Sequence, residues 1–437
     1  MRVLLISTYE LGHQPLHVAS PAAALLNAGH SVRCLDLSVE PWNDNDFEWA
    51  EAVAMSVPMH TAMRLAVRAA KRLKRSWPDL PVCLYGLYAA MDHDRTVGSL
   101  ADHVIAGEYE TGLLSWLDHL GQGLPMGAVR IDLGKTSFRT PARHLLPPLE
   151  RYAHLQWGGE HRLVGYVEAS HGCRHRCRHC PLPVVYDGRY RIVDEEAVLA
   201  DVEQLEAAGA RHITFGDPDF LNGPAQARRV VAAFNSAFPN LTFDVTAKVE
   251  HILKHEELWG DFAKRGLIFV VSAFESTSDD LLKRLEKGHT VAEAANAVSV
   301  LRDCGVDIKP SWLPFTPWTS VEDLADIADF IVEHDLVDNV DSIQMAIRLL
   351  IPEGSLILDL PEILPYLDEY DEAGLTYRWS AADVHVDDLY EEAYALVEAG
   401  ATTAEMCRTV AAWAGRSQGV TSLEHPSRPR LSEPWFC

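Results

Sequence analysis

The sequence predicts an α/β protein made of two strand–helix series separated by a proline-containing connector. Short apolar runs alternate with helix-forming stretches from residue 1 to about 125, and again from about 161 to 360. Such alternation is typical of parallel sheets covered by helices on both faces. A chain of 437 residues is also long for one domain, so two or three are expected.

The first series, residues 1–125, predicts a doubly wound domain of the Rossmann-like or flavodoxin-like kind. Its expected strands are the apolar runs at residues 3–7, 31–37, 52–57, 81–86 and 103–107. Residues 21–29 and 61–73 have the composition and spacing of helices between them. Ligands of such sheets bind at the carboxyl ends of the strands, so we expect a crevice there.

Residues 126–160 are predicted to link this domain to the second series, because the prolines of FRTPARHLLPPLERY (138–152) disfavour a regular helix. The second series, residues 161–360, contains about six expected strands, at 162–170, 212–220, 241–248, 267–276, 306–315 and 342–351. A full eightfold barrel needs about 250 residues. The shorter series therefore predicts a partial (β/α)6 barrel.

The end of the chain is expected to be helical and then irregular. Residues 361–416 have the pattern of helices, whereas residues 417–437 are rich in Ser, Pro and Arg and end on Cys437. That composition predicts an extended, flexible tail.

Composition limits the classes of partner. The chain has 38 Lys and Arg against 63 Asp and Glu, a formal charge of −25. Such a surface repels phosphate backbones and anionic lipid, so we expect neither a nucleic-acid nor a membrane partner. No apolar run has membrane-spanning length, and the first ten residues lack the features of a signal peptide. The sequence therefore predicts a cytoplasmic protein acting on a small molecule.

The eight cysteines do not have the pattern of a disulfide scaffold. Cys34, Cys83 and Cys304 lie in apolar contexts and are expected to be buried free thiols. Three others form a cluster in HGCRHRCRHC (171–180), at the expected end of the first barrel strand, where barrel active sites are built. These are Cys173, Cys177 and Cys180.

Three thiolates on one loop can bind three irons of a [4Fe–4S] cluster and leave the fourth iron open to a non-protein ligand. The alternative is a zinc site in which His175 or His179 is the fourth ligand. The first interpretation predicts an enzyme, and the second a non-catalytic metal-binding protein.

The C-x3-C-x2-C spacing after a strand at a barrel mouth resembles that of the radical S-adenosylmethionine (SAM) superfamily. The resemblance implies a [4Fe–4S] cluster whose open iron chelates SAM and whose reduced form cleaves a C–S bond of SAM. It also implies an electron donor such as flavodoxin or ferredoxin.

The resemblance also implies residues that bind SAM. Gly216 and Asp217, or Asp219, in GDPDF (216–220) resemble the segment that contacts the SAM amino group, and Lys248 in TAKVE (246–250) the cation that meets its carboxylate. His179, which precedes the third cysteine, is expected near the adenine.

The segment AFESTSDDLLKRLEKGHT (273–290) resembles one found in methylthiotransferase-like and cobalamin-binding branches of the superfamily. This implies that Glu275 and Ser276 contact the ribose or the methionyl amine. Lys287, Gly288 and Thr290 are expected to end one helix and cap the next.

Arg348 is a lone cation in an apolar segment that we expect to be a strand. Burying it is costly without an anion, so its partner is either a substrate carboxylate or an internal salt bridge. In the first case Arg348 would belong to the active site.

A flavodoxin-like domain before such a barrel resembles the cobalamin-binding radical SAM enzymes. Most of them carry Asp-x-His-x-x-Gly after the first strand, and the corresponding loop, TYELGHQPLHVASP (8–21), lacks that motif. Cobalamin is therefore either held without a protein histidine or absent. His13 and His17 then line the cleft between the domains or cap a helix.

The tail LSEPWFC resembles that of radical SAM proteins that end in Cys-Cys-Ala-Glu-Pro or Cys-selenocysteine-Ala-Glu-Pro. A selenocysteine codon read as a stop would leave Cys437 last. The architecture also resembles the radical SAM enzymes of the arsinothricin pathway, which implies transfer of the 3-amino-3-carboxypropyl group of SAM to trivalent arsenic, with Cys437 and Cys407 as soft ligands. Methyl transfer through cobalamin and hydrogen abstraction by a 5′-deoxyadenosyl radical are the alternatives.

Overall fold

The computed structural model describes residues 1–91, 100–124, 129–134, 138–417 and 428–433. Its N-terminal sheet has six strands, Arg2–Ser7 (β1), Ser31–Asp36 (β2), Ala52–Ser56 (β3), Val82–Tyr85 (β4), His103–Gly107 (β5) and Val129–Asp132 (β6). All six are parallel and pair in the order β2-β1-β3-β4-β5-β6. This is the flavodoxin-like order, as predicted, and it opens a crevice where neighbouring connections diverge at the carboxyl end of β1.

The α-helices of this part are Leu16–Asn27 (α1), Asp44–Trp49 (α2), His60–Ser76 (α3) and Tyr109–Gln122 (α4), with a 3₁₀ turn at Leu87–Ala90. Helix α1 begins before Pro21, which we had expected to start it. Pro21 has no N–H to donate to the His17 carbonyl four residues back. The Tyr85 hydroxyl donates to that carbonyl instead, at 2.8 Å, so the helix tolerates an internal proline.

The connector contains no α-helix over 138–153, in agreement with its prolines, but forms 3₁₀ turns at Arg143–Leu145 and Leu149–Arg151. Arg143 is buried and binds both carboxylate oxygens of Asp201, at 2.9 and 2.8 Å. It also donates to the carbonyls of Gln14 and Tyr166, at 3.1 and 2.6 Å. One guanidinium therefore joins the N-terminal part to the barrel.

The second sheet is curled into a half-barrel. Its strands are His154–Trp157 (β7), Glu160–Val167 (β8), His212–Phe215 (β11), Thr242–Thr246 (β12), Leu267–Glu275 (β13), Asp307–Trp312 (β14) and Arg430–Leu431 (β17). They pair in the order β14-β13-β12-β11-β8-β7-β17, and the five strands from β8 to β14 are parallel. A separate ribbon pairs Ser170–Gly172 (β9) with Tyr190–Ile192 (β10).

The sixth expected barrel strand, residues 342–351, is reduced to a single parallel bridge between Phe315 and Arg348. It begins instead as a 3₁₀ helix, Ser342–Ala346. The Gln344 side chain accepts a hydrogen bond from the Trp312 N–H at 3.0 Å, so a side chain satisfies an edge group that a paired strand would have satisfied.

The helices of the second part cover the outside of the half-barrel or follow it. They are Leu182–Tyr186 (α5), Glu195–Ala207 (α6), Pro224–Ala237 (α7), Val249–Lys254 (α8), Glu256–Lys264 (α9), Asp279–Arg284 (α10), Val291–Asp303 (α11), Val321–Glu333 (α12), Val384–Glu398 (α13) and Thr403–Trp413 (α14). Further 3₁₀ turns lie at Phe220–Asn222, Leu356–Asp359 and Pro361–Tyr366. One core runs from the barrel into α13 and α14.

Two expectations for the C-terminal part need correction. Residues 361–416 are not wholly helical, because Leu367–Asp371 (β15) and Thr376–Trp379 (β16) form a hairpin. The tail is extended at residues 428–433 but is bound there rather than free. Arg430 and Leu431 pair with β7, and Arg428 forms ion pairs with Asp307 and Asp335.

Within the described residues, no helix combines the length and the apolar composition needed to cross a bilayer.

Candidate active site

The cysteine loop starts where β8 ends and is framed by the β9–β10 ribbon. Gly172, directly before Cys173, has φ +79°, and a Cβ there would lie 2.6 Å from both the Arg189 carbonyl oxygen and the Tyr186 ring. Only glycine fits this turn without a clash. The sequence therefore fixes the point at which the chain turns into the loop.

The three clustered thiols are free and lie close to one another. Cys173 and Cys177 are buried and Cys180 is half-buried. Burial raises the pKa of Cys173 to about 11, and burial together with Cys177 raises that of Cys180 to about 12. A bound metal would displace the protons of Cys173 and Cys180. Elsewhere, Cys83 is buried as predicted, while Cys34 and Cys304 are only half-buried.

Neighbouring elements hold the loop at several points. The Asn222 side chain accepts from the Arg174 N–H at 3.1 Å and lies 3.9 Å from Cys173 Sγ. Arg178 donates its N–H to the Leu285 carbonyl at 3.0 Å and its guanidinium to the Arg284 carbonyl at 2.8 Å. These contacts come from the segments that follow β11 and β13, so the loop lies across the barrel mouth.

Lys248 is a buried cation beside the thiols. It precedes α8, is 8% exposed, and its Nζ lies 3.8 Å from Cys177 Sγ. Across the part of the chain that the structure describes, no carboxylate lies within ion-pair distance of this Nζ. Its ammonium is therefore buried beside thiols and lacks a counter-charge.

Gly216 and Asp217, at the end of β11, contact the strand and the loop that lead to the cysteines. A Cβ at residue 216 would lie 2.0 Å from the Tyr166 ring, so the glycine is needed to admit that ring. Asp217 accepts from the Ala169 N–H at 2.8 Å and the Ser170 hydroxyl at 2.5 Å, and burial raises its pKa to about 7. Both residues fix the entry to the cysteine loop.

Asp219 lies two residues further on and is fully buried between two imidazoles. Its Oδ2 is 3.3 Å from His175 Nε2 and 2.7 Å from His251 Nδ1, while its Oδ1 accepts from the Leu221 N–H. Sequence reasoning named His175 only as an alternative zinc ligand beside the thiols and did not single out His251. The Nε2 of His175 approaches a carboxylate instead.

Glu275 lies at the end of β13, where a bulge and a φ of +64° turn the chain. Its Oε1 is 3.0 Å from Lys287 Nζ and 3.1 Å from His179 Nε2. Burial raises the pKa of Glu275, but Lys287 and His179 outweigh it and hold that pKa well below its usual range. Ser276 accepts from the Ser278 N–H at 3.1 Å and so caps the following turn.

Lys287 is therefore more than the helix-end residue that we expected, since it is buried and paired with Glu275. Its charge could be inferred from the sequence, but its partner could not. Thr290, in contrast, caps α11 in a capping box with Glu293, as predicted.

Arg348 has an internal partner. Its Nη2 lies 2.8 Å from Asp387 and donates to the Trp379 carbonyl at 2.6 Å, and its guanidinium stacks 3.6 Å from the Trp379 ring. Of the two alternatives, the structure has the salt bridge.

Cys407 is fully buried in α14, and burial raises its pKa to about 12. Cys437 lies outside the described residues.

Five ionisable side chains form a continuous chain between the N-terminal crevice and the barrel. We call Glu10, His17, Glu168, His171 and Glu108 the acid–histidine network. His17 lies 2.9 Å from Glu10 and 3.4 Å from Glu168, and His171 lies 3.1 Å from both Glu168 and Glu108. Glu10 and Glu108 follow β1 and β5, so the network occupies the carboxyl ends of the sheet, where a ligand was expected.

The two candidate histidines of the crevice have different surroundings. Burial lowers the pKa of His17, but Glu10 and Glu168 outweigh it and raise that pKa to about 10. His13 is buried with its ring centroid 4.9 Å from that of Tyr166, and burial lowers its pKa to about 4. Both line the cleft between the two parts of the chain, one of the two alternatives predicted for them. The network around His17 was not foreseen.

The architecture is that of a doubly wound sheet followed by a half-barrel with three cysteines at its mouth. A model of the radical SAM superfamily matches residues 167–331, which run from the end of β8 into α12. This stretch of the chain is therefore similar to the radical SAM superfamily.

Solved structures share both parts of the fold. The cobalamin-dependent SAM radical enzyme OxsB, with aqua-cobalamin and SAM bound, superposes with a TM-score of 0.70 at 14% identity, over 91% of this chain and 67% of OxsB. The radical SAM methyltransferase TsrM of Kitasatospora setae, with cobalamin and a [4Fe–4S] cluster bound, gives 0.67 at 17% identity, over 91% and 88%. At these identities the likeness shows the fold alone.

Among curated proteins, the hopanoid C-3 methylase of Methylococcus capsulatus is 22% identical over 331 residues, 70% of this chain and 62% of the methylase. A proposed methylthiotransferase of Methanocaldococcus jannaschii is 25% identical over 187 residues, 40% of each chain. This chain thus spans less than two thirds of the length of either relative.

Proposed function

We propose that Cys173, Cys177 and Cys180 hold a [4Fe–4S] cluster and that the chain cleaves SAM and transfers a part of it to a small molecule. The observation that carries the proposal is Lys248, a buried ammonium 3.8 Å from Cys177 Sγ with no carboxylate partner in the described residues. A buried, uncompensated charge is costly. Three thiolates and the carboxylate of SAM would supply the missing negative charge.

The residues present fit such a cluster. Three free thiols lie on one loop, and the Lys248 ammonium lies 3.8 Å from the Sγ of Cys177. The bound cluster would supply one electron to the sulfonium of SAM. The zinc alternative is less favoured, because His175 and His179 each place Nε2 beside a carboxylate.

The protein groups around the loop would bind and orient. Lys248 is our candidate for the SAM carboxylate, since it has no other anionic partner among the described residues. Asp217 and Glu275 already accept hydrogen bonds from the protein. With Gly216, Ser276 and His179 they would shape the SAM site through backbone and ring contacts, and those roles stay predictions.

Two transfers remain candidates. Methyl transfer is favoured by the curated relative, a methylase, and by the fold shared with a methyltransferase. Transfer of the 3-amino-3-carboxypropyl group to an arsenical depends on Cys437, which lies outside the described residues, and on Cys407, which is fully buried. It stays a prediction from the tail alone.

Among the described residues of the crevice, His17 has no free ring nitrogen to offer cobalamin. Both ring nitrogens of His17 approach carboxylates, and His13 is buried against Tyr166. A corrinoid in this crevice would therefore not have His17 as a ligand while His17 stays bound to Glu10 and Glu168. We therefore derive no step through a corrinoid.

Product analysis tests the proposal. Anaerobically reconstituted protein is treated with dithionite and SAM, and nucleoside products are identified by mass spectrometry. We expect 5′-deoxyadenosine from hydrogen abstraction, S-adenosylhomocysteine from methyl transfer, or methylthioadenosine from aminocarboxypropyl transfer. Protein that contains iron and yields none of the three would contradict the proposed activity.

Lys248→Met tests the residue on which the proposal depends. We expect weaker SAM binding and slower SAM cleavage with the cluster retained, because the variant removes the counter-charge of the SAM carboxylate. The matched control is Lys254→Met at the end of α8, an exposed lysine whose loss should change neither quantity. Equal behaviour of the two variants, measured by SAM titration and product formation, would remove Lys248 from the site.

An electron donor such as flavodoxin or ferredoxin, and a cytoplasmic location, stay predictions that follow from the proposed chemistry.

A further inference from the structure

Three residues from separate segments bring potential metal-binding atoms together beside the cysteine loop. We call His175, Asp219 and His251 the His–Asp–His cluster. His175 lies within the loop, Asp219 follows β11 and His251 belongs to α8. Their ligand atoms, one from each residue, all lie within 4.8 Å of one another. Long-range folding, not local sequence, therefore creates the cluster.

The three facing atoms have no well-formed hydrogen bonds. His175 Nε2, Asp219 Oδ2 and His251 Nδ1 are buried, and none has a hydrogen-bond partner among the described residues, although the ring atoms lie 3.3 and 2.7 Å from the carboxylate oxygen. No ring N–H is thus aligned with that oxygen. Asp219 is 0% exposed, so the oxygen cannot turn to water. A buried carboxylate oxygen without an aligned donor is costly.

We propose that the His–Asp–His cluster binds one divalent transition-metal ion, zinc or ferrous iron, separate from the iron–sulfur cluster. Two imidazoles and one carboxylate are a recurrent ligand set for both ions. The carboxylate is already oriented, since Asp219 Oδ1 accepts from the Leu221 N–H at 3.2 Å. Glu250 Oε2 lies 3.9 Å from the other ring nitrogen of His175 and could fix the orientation of that ring.

The ion would brace the cysteine loop. His175 lies between Cys173 and Cys177, whereas Asp219 and His251 belong to the barrel wall. A bond from His175 through a metal to both would hold the middle of the loop in place. This site uses none of the three thiols, so its existence does not depend on the proposed SAM chemistry.

Metal analysis of the full chain tests the proposal. Zinc is added after the iron–sulfur cluster is assembled, excess is removed, and iron and zinc are counted by mass spectrometry. We expect about one zinc per chain in addition to the iron. Asp219→Asn and His251→Ala should lose the zinc, and His255→Ala, on the next helical turn, should keep it. A parent protein that holds neither zinc nor iron beyond that of the [4Fe–4S] cluster, or extra metal that is unchanged in both cluster variants, would overturn the proposal.

A second measurement excludes metal binding by the three thiols and shows whether the variants fold. The variant with Cys173, Cys177 and Cys180 replaced by alanine is titrated with Co²⁺, and melting is followed with and without the ion. We expect ligand-field bands without thiolate charge transfer, and a rise in Tm that Asp219→Asn abolishes. If a folded variant gives no such bands with Co²⁺, the His–Asp–His cluster does not bind a metal ion and the proposal is wrong.

Discussion

The two sheets of this protein both end in buried ionisable side chains, but the sheets differ in which of these side chains have charged partners within the chain. In the crevice, each link of the acid–histidine network joins a carboxylate to an imidazole within 3.4 Å. At the barrel mouth, the three thiols and Lys248 have no oppositely charged protein partner among the described residues. Two largely parallel sheets of one chain therefore leave different groups without a charged partner at their carboxyl ends. We therefore expect a ligand at the barrel mouth, whereas carboxylate–imidazole contacts already link the side chains of the crevice.

The largest expected effect is the loss of the cluster itself. Cys177→Ala should abolish the iron–sulfur absorbance at about 400 nm and all cleavage of SAM, because only two cysteine ligands are left for the cluster. Glu10→Gln, in the crevice, should retain both. Absorbance spectra and iron content measure the contrast. A crevice variant that loses iron as completely as the cysteine variant would show that the two regions do not act separately.

The next effect is on stability, at the guanidinium that joins the two regions. Arg143→Met leaves the buried Asp201 without its partner, and we expect a loss of about 3–5 kcal/mol in the free energy of unfolding. Arg162→Ala removes an exposed pair with Glu160 and should cost less than about 1 kcal/mol. Denaturant unfolding measures both. Similar costs for the two variants would contradict the central role of Arg143.

The smallest effect is a change in the pH dependence of stability. The pKa of His17 is raised from 6.5 to about 10 in the folded chain, so its stabilising contribution is complete below pH 6.5 and is lost as pH rises toward 10. The Tm of the parent protein should therefore fall more steeply between pH 7 and 10 than that of His17→Gln. The control His144→Gln, at an exposed site, should keep the parent slope. Parallel curves for all three would show that the network does not hold a charged His17.

The parts of the molecule with a local periodicity could be predicted from the sequence. The strands from β1 to β5, the five parallel barrel strands and the cysteine loop after β8 all follow from short apolar runs and their flanking residues. Each depends on neighbours in the chain, so local patterns suffice.

What could not be predicted depends on residues far apart in the sequence. Arg348 pairs with Asp387, and residues 428–433 dock on β7, because of packing that no local pattern records. The acid–histidine network joins the two parts of the chain, and of its members only His17 was singled out from the sequence. The sixth barrel strand failed for a related reason, since the Gln344 side chain replaced its backbone pairing.

The most direct test of an open-iron cluster at Cys173, Cys177 and Cys180 is electron paramagnetic resonance of the reduced, anaerobically reconstituted protein with and without SAM. We predict a [4Fe–4S] signal that changes when SAM binds and that Lys248→Met makes less responsive to SAM. A protein with zinc and no iron, or a cluster signal indifferent to saturating SAM, would contradict the account.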